Sequence, residues 1–258
     1  MLSVKLQYQS EIAIKDRMLR DAASIHKPDS GRPLPQKSFD TYGSLPLWRD
    51  AGLDELLALA SSRYKVGFEA VNAGGRNLQV LQIMDMKERL DRAIAENALA
   101  DALNTLPLWA KIWPASIILG HMLTHVTEKT HNILEIGAGC GLAGLVAAAL
   151  GIGKVCISDI NEDALLFAKI NILKNKLQDV AEVRRIDVAK CDIPDRFSLI
   201  IGAENLYIDH LYRPMVKFFK RCMAKDSDIG NKLPPARVVL ASDHRRKITP
   251  FLKKAEKE

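Results

Sequence analysis

Four acids, three glycines and a tyrosine carry the chemistry that this chain can do. Residues 133–141 read I-L-E-I-G-A-G-C-G. Ile133, Leu134 and Ile136 form a short apolar run suited to a buried parallel strand. Gly137, Gly139 and Gly141 then allow a sharp turn and a close backbone approach to a ligand. Residues 142–150 (LAGLVAAAL) follow as an apolar helix, closed by Gly151 in C-cap position. A strand, a glycine turn and a helix N-terminus together form a nucleotide cradle. A second strand, 154–158, leads to Asp159, whose carboxylate can hold the two hydroxyls of a ribose. The alternative is a tight strand-to-helix turn that binds nothing.

The spacing narrows the ligand. The dinucleotide fingerprint G-x-G-x-x-G would put its third glycine where Leu142 stands. Here the glycines run G-x-G-x-G, and Glu135 precedes them inside the strand. An acid there suits a positively charged ligand better than a pyrophosphate, which it would repel. Residues 204–207 (E-N-L-Y) follow a fourth strand. Ligands of open α/β sheets bind beyond the carboxyl ends of the strands, so Glu204 and Tyr207 are expected to face the cofactor's reactive end. A polar loop capping the next helix is the alternative.

Asp187 ends the third strand, and Asn161, Glu162 or Asp163 is expected to cap the second helix. In 107–114 (P-L-W-A-K-I-W-P), Trp109 and Trp113 stand four apart and are expected to share a helix face, where they can serve as core anchors. His210 and His244 are isolated and read as surface or loop residues.

These residues need a scaffold, and the sequence supplies one. Strands are expected at 133–136, 154–158, 181–186, 197–202 and 237–242, with helices at 142–150, 163–177, 211–223 and from about Pro250. Such alternation indicates a parallel sheet with helices on both faces. Upstream, 63–71 and 77–84 flank N-A-G-G, a hairpin signal. Residues 86–103 read as an amphipathic helix, 115–125 as a second and 54–60 as a short one. Residues 26–37 (HKPDSGRPLPQK) read as a flexible linker. The expected division is an N-terminal extension at 1–62, a hairpin and helix appendage at 63–104, and a ligand-binding domain at 105–258.

Length and composition agree with one large domain and an appendage: 258 residues, 48% hydrophobic. The net charge of +6 is spread over small clusters, unlike the concentrated charge of a dedicated nucleic-acid binder. Four scattered cysteines (Cys140, Cys156, Cys191, Cys222) without a C-x-x-C pair read as reduced thiols of a cytoplasmic protein, neither disulfide framework nor zinc site. No apolar stretch reaches the roughly 20 residues that span a bilayer.

The 135–141 string resembles motif I, (D/E)-x-G-x-G-x-G, of the class I, seven-stranded S-adenosylmethionine (SAM)-dependent methyltransferases. The resemblance covers about residues 105–258. It implies a Rossmann-like, doubly wound, mainly parallel sheet and SAM as cofactor, released as S-adenosyl-L-homocysteine. It further implies that Glu135 lies near the cationic methionine end and that Asp159 takes the ribose hydroxyls. Gly137, Ala138, Gly139 and Gly141 would line the cofactor, with Ile160, Asp187 and Ala203 beside them. Asp187 would meet the adenine amino group, and Trp113 would cover the cofactor or line the substrate entry.

Glu204 and Tyr207 match the (D/E)-x-x-(Y/F) of the group that methylates protein lysines. Enzymes acting on exocyclic base amines carry (N/D/S)-P-P-(Y/F/W), and no such prolines follow Glu204. The resemblance therefore implies methyl transfer to an amine, a protein lysine above all, with Glu204 and Tyr207 as catalytic residues and no metal. A small-molecule methyltransferase and a non-catalytic SAM-binding module remain open.

One departure stands out. The family continues past its fifth strand to strands six and seven, in the order 3-2-1-4-5-7-6, whereas this sequence ends at Glu258. The expectation is a truncated sheet with an open edge at 237–242, prone to self-association.

Overall fold

The computed structural model describes residues 48, 50–96, 106–126, 131–190, 193–225, 235–243 and 248–257. The expected linker at 26–37, the end of the 86–103 helix, Cys191 and His244 lie outside them.

Two compact units are present: residues 1–38 with 85–107, and residues 39–84 with 108–258. In the smaller unit the described helix is Met86–Ala95, with Glu96 as its C-cap, and Arg89 Nε donates to Asp85 Oδ2 at 3.0 Å.

The larger unit opens with α1 (Leu53–Ser61), followed by β1 (Val66–Ala73) and β2 (Arg76–Ile83). These strands pair antiparallel through a two-residue turn at Gly74-Gly75, as N-A-G-G suggests. Counting on within this unit, α2 (Pro114–Leu123) leads to β3 (His131–Glu135), α3 (Leu142–Leu150) and β4 (Gly153–Asp159). Then come α4 (Glu162–Lys174), β5 (Ala181–Arg185), β6 (Leu199–Ala203), α5 (Tyr212–Cys222), β7 (Arg237–Ala241) and α6 (Thr249–Ala255).

The second sheet is fully parallel, in the order β5-β4-β3-β6-β7. That is the 3-2-1-4-5 part of the expected order. Among the described residues, the outer edge of β7 pairs with no strand.

Strand side chains alternate between two cores, as period-two geometry demands. Ile133, Val155, Ile157, Leu199 and Ile201 join one core with residues of α2, α3, α4 and the hairpin's β2. Leu134, Cys156 and Ile200 join the other, with Met215, Phe218 and Phe219 of α5 and Phe251 of α6. Both faces are covered, which explains the unbroken apolar run of β6.

Several boundaries differ from expectation by one to three residues, two of them for a visible reason. The fourth sheet strand starts at Leu199 rather than 197, because Phe197 instead makes an isolated parallel bridge with Met223 and buries its ring. The helix expected at 163–177 is Glu162–Lys174, started by Asn161, whose side chain accepts from the backbone N–H groups of Asp163 and Ala164.

The hairpin is fastened to α4 by two asparagines one turn apart. Asn175 Oδ1 accepts the Gln79 N–H at 2.9 Å and its Nδ2 donates to the Gln79 carbonyl at 2.8 Å. Asn171, fully buried, accepts the Leu81 N–H at 2.7 Å. Together these amides occupy the Gln79 N–H and carbonyl and the Leu81 N–H on the outer edge of β2, groups that would otherwise stand open.

Candidate active site

The glycine turn lies at the carboxyl end of β3. Gly137, Gly139 and Gly141 have φ of 51°, 56° and 80°, left-handed values that a side chain disfavours. At Gly139 the requirement is also steric, since a Cβ there would overlap the carbonyl oxygen of Trp109. That same carbonyl accepts the Cys140 N–H at 3.1 Å. On the other side Ala138 donates its N–H to the Ser158 carbonyl at 2.9 Å, and the Ser158 hydroxyl donates to the Glu135 carbonyl at 2.6 Å. Asn171 Nδ2 donates to the Cys140 carbonyl at 3.0 Å. The turn is thus held by β4, α4 and the 3-10 turn Leu108–Ala110.

Two acids flank it. Glu135 is buried, and its Oε2 accepts the Gly144 N–H at 2.9 Å, in the first turn of α3. Burial pushes the Glu135 carboxyl up to about 8, and the nearby Asp159 adds to the rise. Asp159 ends β4, with Oδ2 accepting the Gly139 N–H and Oδ1 the Asn161 N–H, each at 2.9 Å. Burial raises its carboxyl too, opposed by these backbone donors. Neither acid has an ion-pair partner among the described residues. Two buried carboxyls held away from their ionised form beside a glycine turn make a place that a cation would stabilise.

The neighbouring strand ends complete the site. Ile186 donates its N–H to the Asp159 carbonyl at 3.2 Å, bringing Asp187 alongside; Asp187 is buried, with Oδ1 accepting the Ala189 N–H. Ile160 is 51% exposed, an apolar side chain in water directly after Asp159. Ala203 ends β6 and is half-buried. Glu204 follows, buried, with φ of 58° and its N–H donated to the Ala241 carbonyl at 2.8 Å. Tyr207 is exposed, as is His210.

The tryptophans do not share a helix face. Trp109 lies in the 3-10 turn, and its ring meets Phe167 edge-on at 4.9 Å and Tyr64 at 5.8 Å. Trp113 is the extended N-cap of α2, half-buried, with Lys111 Nζ 5.3 Å from its ring centre. Pro114, at the first helical position, starts the helix after both tryptophans.

Glu135, Ala138, Gly139, Gly141 and Asp159 therefore form one hydrogen-bonded cluster with Ser158, Gly137 lies in the same turn, and Glu204 begins the adjoining segment. Sequence reasoning gave no role to Ser158, Asn171, Asn205 or the Trp109 carbonyl. They act through backbone contacts that leave no pattern in the sequence. No group of three or more potential metal ligands occurs among the described residues, and no described helix is long and apolar enough to cross a membrane.

A family model described as lysine methyltransferase matches residues 100–258. Protein N-lysine methyltransferase METTL21A of Mus musculus is 30% identical over 128 residues, 46% of this chain and 58% of that protein. Ribosomal protein L11 methyltransferase of Lactobacillus gasseri is 36% identical over 83 residues, 32% of this chain and 25% of that protein. The chain thus spans little more than half the length of the first of these relatives. Among solved structures, a TehB-like SAM-dependent methyltransferase from Corynebacterium glutamicum aligns with a TM-score of 0.44 at 18% identity, covering 66% of this chain and 82% of that one.

Proposed function

Because the chain belongs to the lysine methyltransferase family, we propose that it transfers a methyl group from SAM to the side-chain amine of a protein lysine. The observation that carries this reading is the cluster at the carboxyl ends of β3 and β4, where two buried acids without a described counter-ion flank a glycine turn. The residues present fit the cofactor. The turn has no room for a Cβ at Gly139, Asp159 has acceptor capacity beyond the two N–H groups it holds, and Ile160 offers an exposed apolar surface.

SAM supplies a methyl group on a sulfonium, which a nucleophile displaces in line. The protein's share is alignment and exclusion of water. Glu135 and Asp159 favour the cationic and hydroxyl-bearing parts of the ligand. Gly137, Ala138, Gly139 and Gly141 bring backbone close to it, with Ala203 on the adjoining strand end. Asp187 accepts from the adenine amino group, and Trp113 covers the entry. Glu204 accepts a hydrogen bond from the incoming amine and orients its lone pair. Tyr207 forms the channel wall. A lysine amine, with an ordinary pKa of about 10.4, must shed a proton first, and an aromatic, partly dry channel favours the neutral form.

The same reading puts the protein in the cytoplasm, in keeping with the free thiols of Cys140 and Cys156. It assigns no specific nucleic-acid partner, and it makes the β7 edge a place where a second copy can add.

Incubation with tritiated SAM and a whole-cell protein extract tests the reading. A labelled protein carrying methyl-lysine by mass spectrometry is the expected result. Label only in metabolites would replace it with small-molecule methylation, and SAM binding without transfer would replace it with a sensing role.

A further inference from the structure

Asn205 is wedged between Gly202 of β6 and Gly137 of the glycine turn. Its Nδ2 donates to the Ile136 carbonyl at 3.2 Å and to the Gly137 carbonyl at 3.4 Å. A Cβ added to Gly137 would overlap that nitrogen, and one added to Gly202 would overlap the amide oxygen. The amide therefore occupies volume left free by missing side chains on β6 and on the glycine turn. Its Oδ1 is buried without a hydrogen-bond partner among the described residues, so one half of the amide is bonded and the other is held by shape.

The orientation is fixed by chemistry. Turning the amide over would set its oxygen against two carbonyl oxygens, a repulsive arrangement. The residue before it, Glu204, keeps a left-handed φ of 58°, which costs a non-glycine residue on the order of 1 kcal/mol and persists only where neighbours enforce it. Asn205 on one side, and the Glu204 N–H bonded to the Ala241 carbonyl on the other, are that enforcement.

We propose that Asn205 is a positioning residue, which sets the spacing between the glycine turn and the Glu204–Tyr207 segment and so aligns the methyl acceptor with the donor. This rests on the methyl-transfer reading. It assigns to the second residue of the E-N-L-Y segment a role distinct from those of the first and fourth: Asn205 touches neither reactant and acts through Gly137 and Glu204. Gly202 belongs to the same device, because only a residue without a Cβ leaves space for the amide.

The test compares N205A, G202A and the G202A/N205A double variant with the full chain. SAM affinity is measured by calorimetry, and transfer with tritiated SAM at saturation and a whole-cell extract as acceptor. N205A is expected to keep SAM affinity within about threefold while transfer falls at least about tenfold, the split that marks loss of alignment rather than of binding. G202A should behave like N205A, and the double variant should be little worse than N205A alone, because the overlap with the amide vanishes and only a 3.0 Å approach to Ile136 Cγ1 remains. Should N205A fail to fold by circular dichroism, N205D takes its place, keeping volume but removing the donor.

Transfer within about threefold of wild type, or equal losses of SAM affinity and transfer, would overturn the proposal. So would a double variant whose losses multiply. A wild-type protein that binds no SAM or labels no protein overturns the methyl-transfer reading and this inference with it. A variant that matches a working wild type removes the inference alone.

Discussion

The Gly139 N–H points into the Asp159 carboxylate, 2.9 Å from Oδ2, so the middle of the glycine turn and the acid at the end of β4 are one unit. Asp159→Ala should therefore damage the candidate site twice, by removing the proposed ligand contact and by releasing the turn. Two backbone hydrogen bonds at about 0.5–1.5 kcal/mol each, lost with the proposed contact, predict a loss of SAM affinity of at least about tenfold. Calorimetry checks this, and an affinity within a few-fold of wild type would separate Asp159 from the site.

Glu135 makes stability depend on pH in a definite direction. Its carboxyl is pushed up to about 8 in the folded chain from an ordinary 4.5. Between those values the unfolded chain has released a proton that the folded chain retains, so unfolding stability falls as pH rises from about 5 to 8. Asp159, also raised, contributes with the same sign. Glu135→Gln should flatten the slope without abolishing it. Urea unfolding at several pH values checks this, and an unchanged slope would contradict it.

Gly139 and Gly151 offer a matched comparison. Both are left-handed, φ 56° and 67°, but a Cβ at Gly151 meets nothing within 4 Å whereas one at Gly139 overlaps the Trp109 carbonyl. Gly151→Ala should cost about 1–2 kcal/mol, the backbone term alone. Gly139→Ala should cost that and displace the turn, abolishing SAM binding. Thermal melts and SAM titration of both variants distinguish the two costs.

Asn171 serves two masters, the Leu81 N–H and the Cys140 carbonyl. Asn171→Leu leaves both buried groups unsatisfied at about 1–3 kcal/mol each, so a loss of about 2–6 kcal/mol is expected. Asn175→Leu, at a part-buried site, should cost less. A reversed order in denaturant unfolding would refute this account of how the hairpin is fastened.

Glu204 combines a proposed catalytic role with a left-handed backbone. Glu204→Ala and Glu204→Gly should both lose transfer while keeping SAM affinity. Glycine relieves the backbone where alanine does not, so the glycine variant should be the more stable by about 1 kcal/mol. Transfer by either variant at the wild-type rate would remove Glu204 from catalysis.

Local patterns in the chain proved enough for the sheet and its order. Apolar runs closed by Gly151 or started by Asn161 mark their own ends, and α3 runs from Leu142 to Leu150, as its composition suggests. The acids and glycines of the candidate site were equally legible, because residue type and spacing define them. The tryptophan pair misled: a four-residue spacing suggests a helix, but Pro114 starts α2 only after both. Asn171 and Asn205 stayed hidden because each acts across 30 residues or more, on Cys140 and on Gly137. Nothing in an asparagine's immediate neighbours announces a distant carbonyl.

The hairpin shows that the matched segment and the cooperative unit are different things. The family match begins at residue 100, yet Ala73, Leu78 and Val80 lie fully inside the core shared by β3, α3 and α4. A fragment cut at residue 100 would keep every proposed ligand contact and still present this greasy wall to water. Anyone trimming the protein for crystallisation or display should set the cut ahead of α1, not at the edge of the matched sequence. By the same reasoning, variants in the hairpin are expected to surface as loss of soluble protein rather than as altered chemistry.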